Sequence, residues 1–142
     1  PPLTGPGREP YPMSLESFKQ QLAESYRGTT PKEIRRFYEG WPERELQVRC
    51  EWLPTCYQPA IIETYLNFER EEFFELWAKL GAPLLFIYGE ESPAVPPSGV
   101  QEVGATNPRA ELVGISGAGH MIPWENLDDF IAAIRVFMVE LE

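Results

Sequence analysis

Only two stretches of this 142-residue chain read as β-strands, and that scarcity limits what it can fold into. Leu84-Leu85-Phe86-Ile87-Tyr88 is a continuous apolar run ended by Gly89, the pattern of a strand buried on both faces of a parallel sheet. Glu111-Leu112-Val113-Gly114-Ile115 is a second, shorter run of the same kind. Between them a proline-rich turn over 92–97 leads into a short predicted helix ending near Thr106. An amphipathic helix follows, with Leu127, Phe130, Ile131, Ile134, Phe137, Met138 and Leu141 on one side. Strand, helix, strand, helix is a βαβα unit, which requires parallel strands and a right-handed crossover. Two strands are too few for a stable sheet. This half therefore needs strands from elsewhere.

Residues 1–80 are of another kind. A Pro/Gly-rich lead-in occupies 1–12. Leu15, Phe18, Leu22 and Tyr26 then follow three- and four-residue steps, predicting a helix stopped by Gly28. Thr30, Pro31 and Glu33 form the cap, first position and third position of a second helix, an arrangement that satisfies two orphan amides reciprocally. Pro42 opens a third, short helix carrying Leu46, Cys50 and Leu53 until Pro54. Residues 60–80 predict one further helical stretch, closed by Gly81 and dense in aromatics: Tyr65, Phe68, Phe73, Phe74 and Trp77. The division falls at 80/81, a helical region followed by a βαβα region.

Composition removes several classes. With 43% hydrophobic and 24% charged residues, the chain is neither a disordered tail nor a fibre. No apolar run approaches the ~20 residues of a membrane-spanning helix, and no basic stretch followed by an apolar core marks a secretory leader. The net charge of −10 repels phosphate backbones and argues against nucleic-acid binding. Cys50 and Cys56 are too few for a disulfide scaffold or a zinc site. They are either two reduced thiols or a short-range bridge. Sparse cysteine points to a cytoplasmic compartment.

The chain has one histidine, His120, in the glycine-rich turn Gly117-Ala118-Gly119-His120 after the second strand. Ligands of open α/β sheets bind at the carboxyl ends of the strands. An imidazole titrating near pH ~6.5 suits proton transfer close to neutrality.

The words around it are more specific. Pro83-Leu84-Leu85-Phe86-Ile87-Tyr88-Gly89-Glu90, then Asn107-Pro108-Arg109-Ala110-Glu111-Leu112, then Gly117-Ala118-Gly119-His120-Met121, then Pro123-Trp124-Glu125-Asn126 and a closing apolar helix resemble the C-terminal part of the α/β-hydrolase superfamily. The resemblance covers residues 82–142 in order and at that superfamily's spacing. It implies that residues 1–80 stand where the superfamily inserts its helical cap, or lid, and that residues 81–142 are the last two strands of its catalytic domain. The expected fold is α/β, the C-terminal portion of an α/β-hydrolase fold, completed by strands from an N-terminal fragment.

The resemblance also implies a role for His120: general base toward a serine or cysteine nucleophile, then proton donor to the leaving group. The nucleophile should stand at a G-x-S-x-G elbow. No such elbow occurs; the nearest stretch, Gly114-Ile115-Ser116-Gly117-Ala118, lacks the second glycine at the required step. The expectation is that an N-terminal fragment of the same hydrolase supplies it. The acid has two candidate locations. In many relatives an aspartate stands three residues after the glycine ending the penultimate strand, and here that position is Ser92. Either neighbouring Glu90 or Glu91 serves, Glu91 being preferred, or the acid follows the superfamily's sixth strand, upstream of Pro1. Met121 abuts the site. Trp124 packs beneath the histidine loop or lines the pocket, and Tyr65, Phe68, Phe73 and Trp77 are candidates for the inner face of the lid.

The expected activity is hydrolysis of an ester, lactone, amide or carbon–carbon bond in a small molecule, with no metal and no organic cofactor. Alternatives are a non-hydrolytic binding protein of the same fold, or a cofactor-free lyase or cyclase, retaining His120 as a pocket residue.

Overall fold

The computed structural model describes residues 4–81 and 83–141. Its N-terminal region is helical: α1 (Leu15–Ser25), α2 (Pro31–Ile34), α3 (Glu43–Trp52), α4 (Gln58–Asn67) and α5 (Phe73–Lys79). The C-terminal region runs β1 (Leu84–Gly89), α6 (Pro97–Thr106), β2 (Ala110–Ile115), α7 (Ile122–Glu125) and α8 (Leu127–Val139). The strands pair in parallel, from Leu84 opposite Ala110 to Gly89 opposite Ile115, with α6 as the crossover.

Local chemistry accounts for the helix starts. Ser14 caps α1 by accepting from the Ser17 amide. Thr30 and Glu33 form the reciprocal capping box of α2, and Asn126 caps α8 by accepting from the Asp129 amide. After α2 the chain tightens into a 3₁₀ turn at Arg35–Phe37.

Two expectations need correction. The single stretch predicted over 60–80 is two helices. The Asn67 carbonyl accepts from the amides of both Arg70 and Glu71, at 2.9 Å each, and turns the chain. Residues 69–72 (Glu-Arg-Glu-Glu) have no apolar group to bury. The break sends the two aromatic sets to different places: Tyr65 and Phe68 pack with Tyr11, whereas Phe73 and Trp77 pack against β1. The second correction is α7, a short turn of helix following the histidine loop with Pro123 in its first turn.

Three apolar clusters hold the molecule. Leu22, Ile34, Trp41, Leu46, Cys50 and Leu53 form the helical core, and Met121 from the histidine loop packs against it. Trp77, Phe86, Val95 and Val103 fill one side of the sheet. Ile115, Ala118 and Ile122 fill the other, with Phe130 and Ala133 of α8. Asn107 links the two regions. Buried at 1% exposure, it donates its amide to the carbonyls of Trp77 (2.8 Å) and Leu80 (3.2 Å). It shares these carbonyls at the end of α5 with two other donors, the Leu80 amide on Trp77 (3.2 Å) and the Arg109 guanidinium on Leu80 (2.7 Å). The Trp77 indole N–H in turn donates to the Val103 carbonyl at 2.9 Å.

One helix is under-used. No side chain of α8 is fully buried, and Val136, Met138 and Val139 lie exposed. A helix this apolar fits a sheet wider than two strands. Cys50 and Cys56 are free thiols, and burial pushes the Cys50 thiol above its ordinary value.

Candidate active site

The histidine loop is pinned from two sides. From the β1 side, the Glu90 amide donates to the Ile115 carbonyl (3.1 Å) and the Glu91 amide to the Ala118 carbonyl (3.0 Å). Gly89 leaves the loop room to pass: a Cβ there would lie 2.3 Å from the Ala118 carbonyl oxygen. From the α7–α8 side, the Asn126 side-chain Nδ2 donates to the Ser116 carbonyl at 3.0 Å, and a Glu125 carboxylate oxygen accepts from the Gly119 backbone amide at 2.8 Å. Gly117 turns the chain at φ +68°, a left-handed conformation that glycine tolerates.

His120 is thereby held out between two cavities. The larger, about 610 Å³, is walled by Tyr11, Met13, Phe37, Tyr38, Trp41 and Met121, with Arg36, Glu39 and Glu125 as charged members. The smaller, about 250 Å³, runs along β1 from Leu85 to Gly89 and takes in Ser92, Gly119 and His120. Consecutive strand residues point to opposite faces, so a groove touching all five follows the strand's edge.

Tyr11 meets the imidazole edge-on, with ring centroids 6.0 Å apart. Phe18, Tyr65 and Phe68 stand behind Tyr11. The Tyr38 hydroxyl is already committed: it donates to Gln21 (2.7 Å) and accepts from Arg49 (3.0 Å). Burial pushes both tyrosine hydroxyls above their ordinary value, with Arg49 opposing the effect at Tyr38. Burial holds the His120 imidazole below its ordinary value, and the Glu125 carboxylate acts the other way. The ring is therefore neutral near pH 7, the form that accepts a proton.

Met121 lies in the wall of the larger cavity. Glu91 stands exposed on its turn and lines neither cavity. Among the described residues no carboxylate is hydrogen-bonded to the imidazole. Trp124 stacks on Trp41 with centroids 5.9 Å apart and planes 9° from parallel, and it lies outside the lining of the larger cavity. Of the proposed lid aromatics, Tyr65 and Phe68 form a layer behind Tyr11, and Phe73 and Trp77 belong to the sheet core.

The sequence reading missed Tyr11, Phe37, Tyr38 and Trp41. Tyr11 carried a usable signal, since an aromatic set between Pro10 and Pro12 has a stiff backbone on both sides. The other three lie in the irregular stretch between α2 and α3. Among the described residues no three His, Cys, Asp or Glu side chains are grouped to hold a metal. No described helix is long and apolar enough to cross a membrane.

A parallel pair with its crossover helix, a histidine loop at the carboxyl end of the second strand and a helical region over the cavity make this the C-terminal portion of an α/β-hydrolase fold. The chain is 31% identical over 138 residues to N-formylmaleamate deformylase of Pseudomonas putida, a match covering 97% of this chain and 52% of that protein. The crystal structure of N-formylmaleamic acid deformylase from Pseudomonas putida S16 superposes with a TM-score of 0.86 at 30% identity, over 95% of this chain and 53% of the other. E-2-(acetamidomethylene)succinate hydrolase shares the fold at a TM-score of 0.72 and 18% identity, over 94% and 55%. No family model matches the chain. The chain spans about half the length of these relatives, all of which are hydrolases.

Proposed function

We propose that the chain carries the general base of a capped serine-type α/β-hydrolase, and that an N-terminal fragment of the same hydrolase supplies the nucleophile and oxyanion donors. Residues 1–80 act as the cap and residues 81–142 as the end of the catalytic domain. His120 takes the serine proton as the hydroxyl attacks the carbonyl carbon, and then delivers it to the leaving group. Water repeats the sequence to release the acyl group. The carrying observation is the placement of the only histidine: at the carboxyl end of a parallel pair, between an aromatic cavity and the open edge of β1.

Several features support the complementary fragment. The groove along β1, the exposed apolar residues of α8 and the half-length match agree with a sheet continued by other strands. In this reading the triad acid comes with those strands. The smaller cavity joins His120 to Ser92, whose buried hydroxyl has no hydrogen-bond partner, while Glu91 stands apart. The substrate is a small molecule held among Tyr11, Trp41 and Met121. Of the four bond types open to such a site, the deformylase relatives put an amide first.

A fluorophosphonate probe on the active enzyme tests this. The expected result is one labelled serine, outside these 142 residues. Labelling of a serine within them overturns the two-part reading. Failure to label any serine favours the second reading, a non-hydrolytic binding protein, lyase or cyclase of this fold, which the absence of a carboxylate on the imidazole among the described residues would suit.

A further inference from the structure

His120 has an acidic neighbour that takes no part in the proton transfer itself. Glu125 sits at the end of α7, and its carboxylate turns back to accept from the Gly119 amide at 2.8 Å. A Cβ placed on Gly119 would lie 3.2 Å from both carboxylate oxygens, so the two groups are packed as well as bonded. Glu125 also lines the larger cavity beside His120. Tyr11 from the lead-in meets the imidazole, and the charged members of the cavity it lines are Arg36 and Glu39 from the stretch after α2 and Glu125 from α7. Arg36 is paired with Glu24. Among these, Glu125 alone is bonded to the backbone of the histidine loop.

We propose that Glu125 is a positioning residue for His120, anchoring the Gly119–His120 peptide and placing a fixed negative charge beside the imidazole that becomes cationic during proton transfer. The proposal rests on His120 being the base. A half-buried carboxylate normally needs a partner to offset its desolvation, and the Gly119 amide provides one without neutralising the charge. The loop is thus held by a bond whose acceptor also stabilises an imidazolium. Burial of the ring and the Glu125 charge act in opposite directions on His120, which keeps the group usable as base and then as acid.

The single histidine of these 142 residues makes the test direct: with this portion alone isotope-labelled in the active enzyme, its Cε1–H resonance is unique in the NMR spectrum. Glu125→Gln keeps an acceptor for Gly119 and removes the charge; Glu125→Ala removes both. The expected result is a His120 titration moved to lower pH in both variants, with Gly119 amide protection lost only in Glu125→Ala. In the active enzyme the acid limb of kcat/KM moves the same way in Glu125→Gln. In Glu125→Ala turnover falls by roughly 10²-fold, the scale of a misplaced catalytic group. An unmoved titration in Glu125→Gln overturns the proposal, and so does protection retained in Glu125→Ala. If His120→Ala leaves turnover intact while the Glu125 variants still move the titration, the fault lies in the assignment of the base.

Discussion

Gly89 and Gly119 approach so closely that a Cβ on Gly89 would stand 2.0 Å from the Gly119 carbonyl oxygen. The turn that ends β1 and the loop that carries His120 are therefore one packed unit, with no space for a methyl group between them. The obstruction is backbone, which cannot swing aside as a flexible side chain can.

Gly89→Ala should displace the histidine loop. The expected outcome is a loss of roughly 10²-fold in kcat, the scale of a misplaced catalytic group, with a lower Tm from overpacking, worth about 1–3 kcal/mol. Steady-state kinetics and a thermal melt check both, and wild-type turnover in Gly89→Ala would show that the loop is not fixed by this contact.

Asn107 offers a test of the joint between the two regions that spares the site. Asn107→Ala removes the buried hydrogen bonds to the Trp77 and Leu80 carbonyls, which keep the Leu80 amide and Arg109 as their remaining donors. Losing a hydrogen bond from a group that stays paired costs about 0.5–1.5 kcal/mol, which a denaturant titration would read as a lower midpoint. The KM of the active enzyme should stay near wild type.

Trp124 distinguishes packing from substrate contact. Stacked on Trp41, it should matter to stability and little to recognition. Trp124→Leu is expected to lower Tm while leaving KM close to wild type. Tyr11→Ala, which opens the cavity wall beside the imidazole, should raise KM. A large KM effect from Trp124→Leu together with none from Tyr11→Ala would reverse the two assignments.

The depressed proton affinity of His120 has a consequence for pH. The folded state binds the imidazole proton less readily than the unfolded chain, whose histidine titrates near ~6.5. As pH falls from above that value toward the lower folded value, the unfolded state takes up the proton first, so stability declines on the acid side. Denaturation midpoints between pH 7 and pH 5 should fall in the wild type and fall less in His120→Asn. In the same window kcat/KM should hold to a lower pH than an ordinary histidine allows. An acid limb above the ordinary histidine value would contradict the observed burial.

Much of this was readable in the residues, and the parts that were not have a common cause. The strands were legible because an unbroken apolar run ended by glycine, Leu84 to Gly89, has few other uses. The capping box at Thr30 and Glu33 was legible because it is local. What the sequence could not convey was which aromatic faces which partner. Tyr65 and Phe73 look alike along the chain, and the turn at Asn67 is what separates them. The cavity wall was missed for the same reason. Tyr11, Tyr38 and Trp41 lie outside regular helices and come to the cavity beside His120 only through the tertiary fold, and no periodicity marks such positions. Glu91 illustrates the converse: adjacency along the chain to the expected acid position did not bring its carboxylate to the imidazole.

The most direct measurement is the turnover of His120→Ala in the active enzyme, with folding confirmed by a thermal melt. If the imidazole is the base, turnover falls by ~10³-fold or more, as when a member of a nucleophile–base pair is removed. A loss smaller than ~10-fold, below ordinary acid–base assistance, would contradict the account.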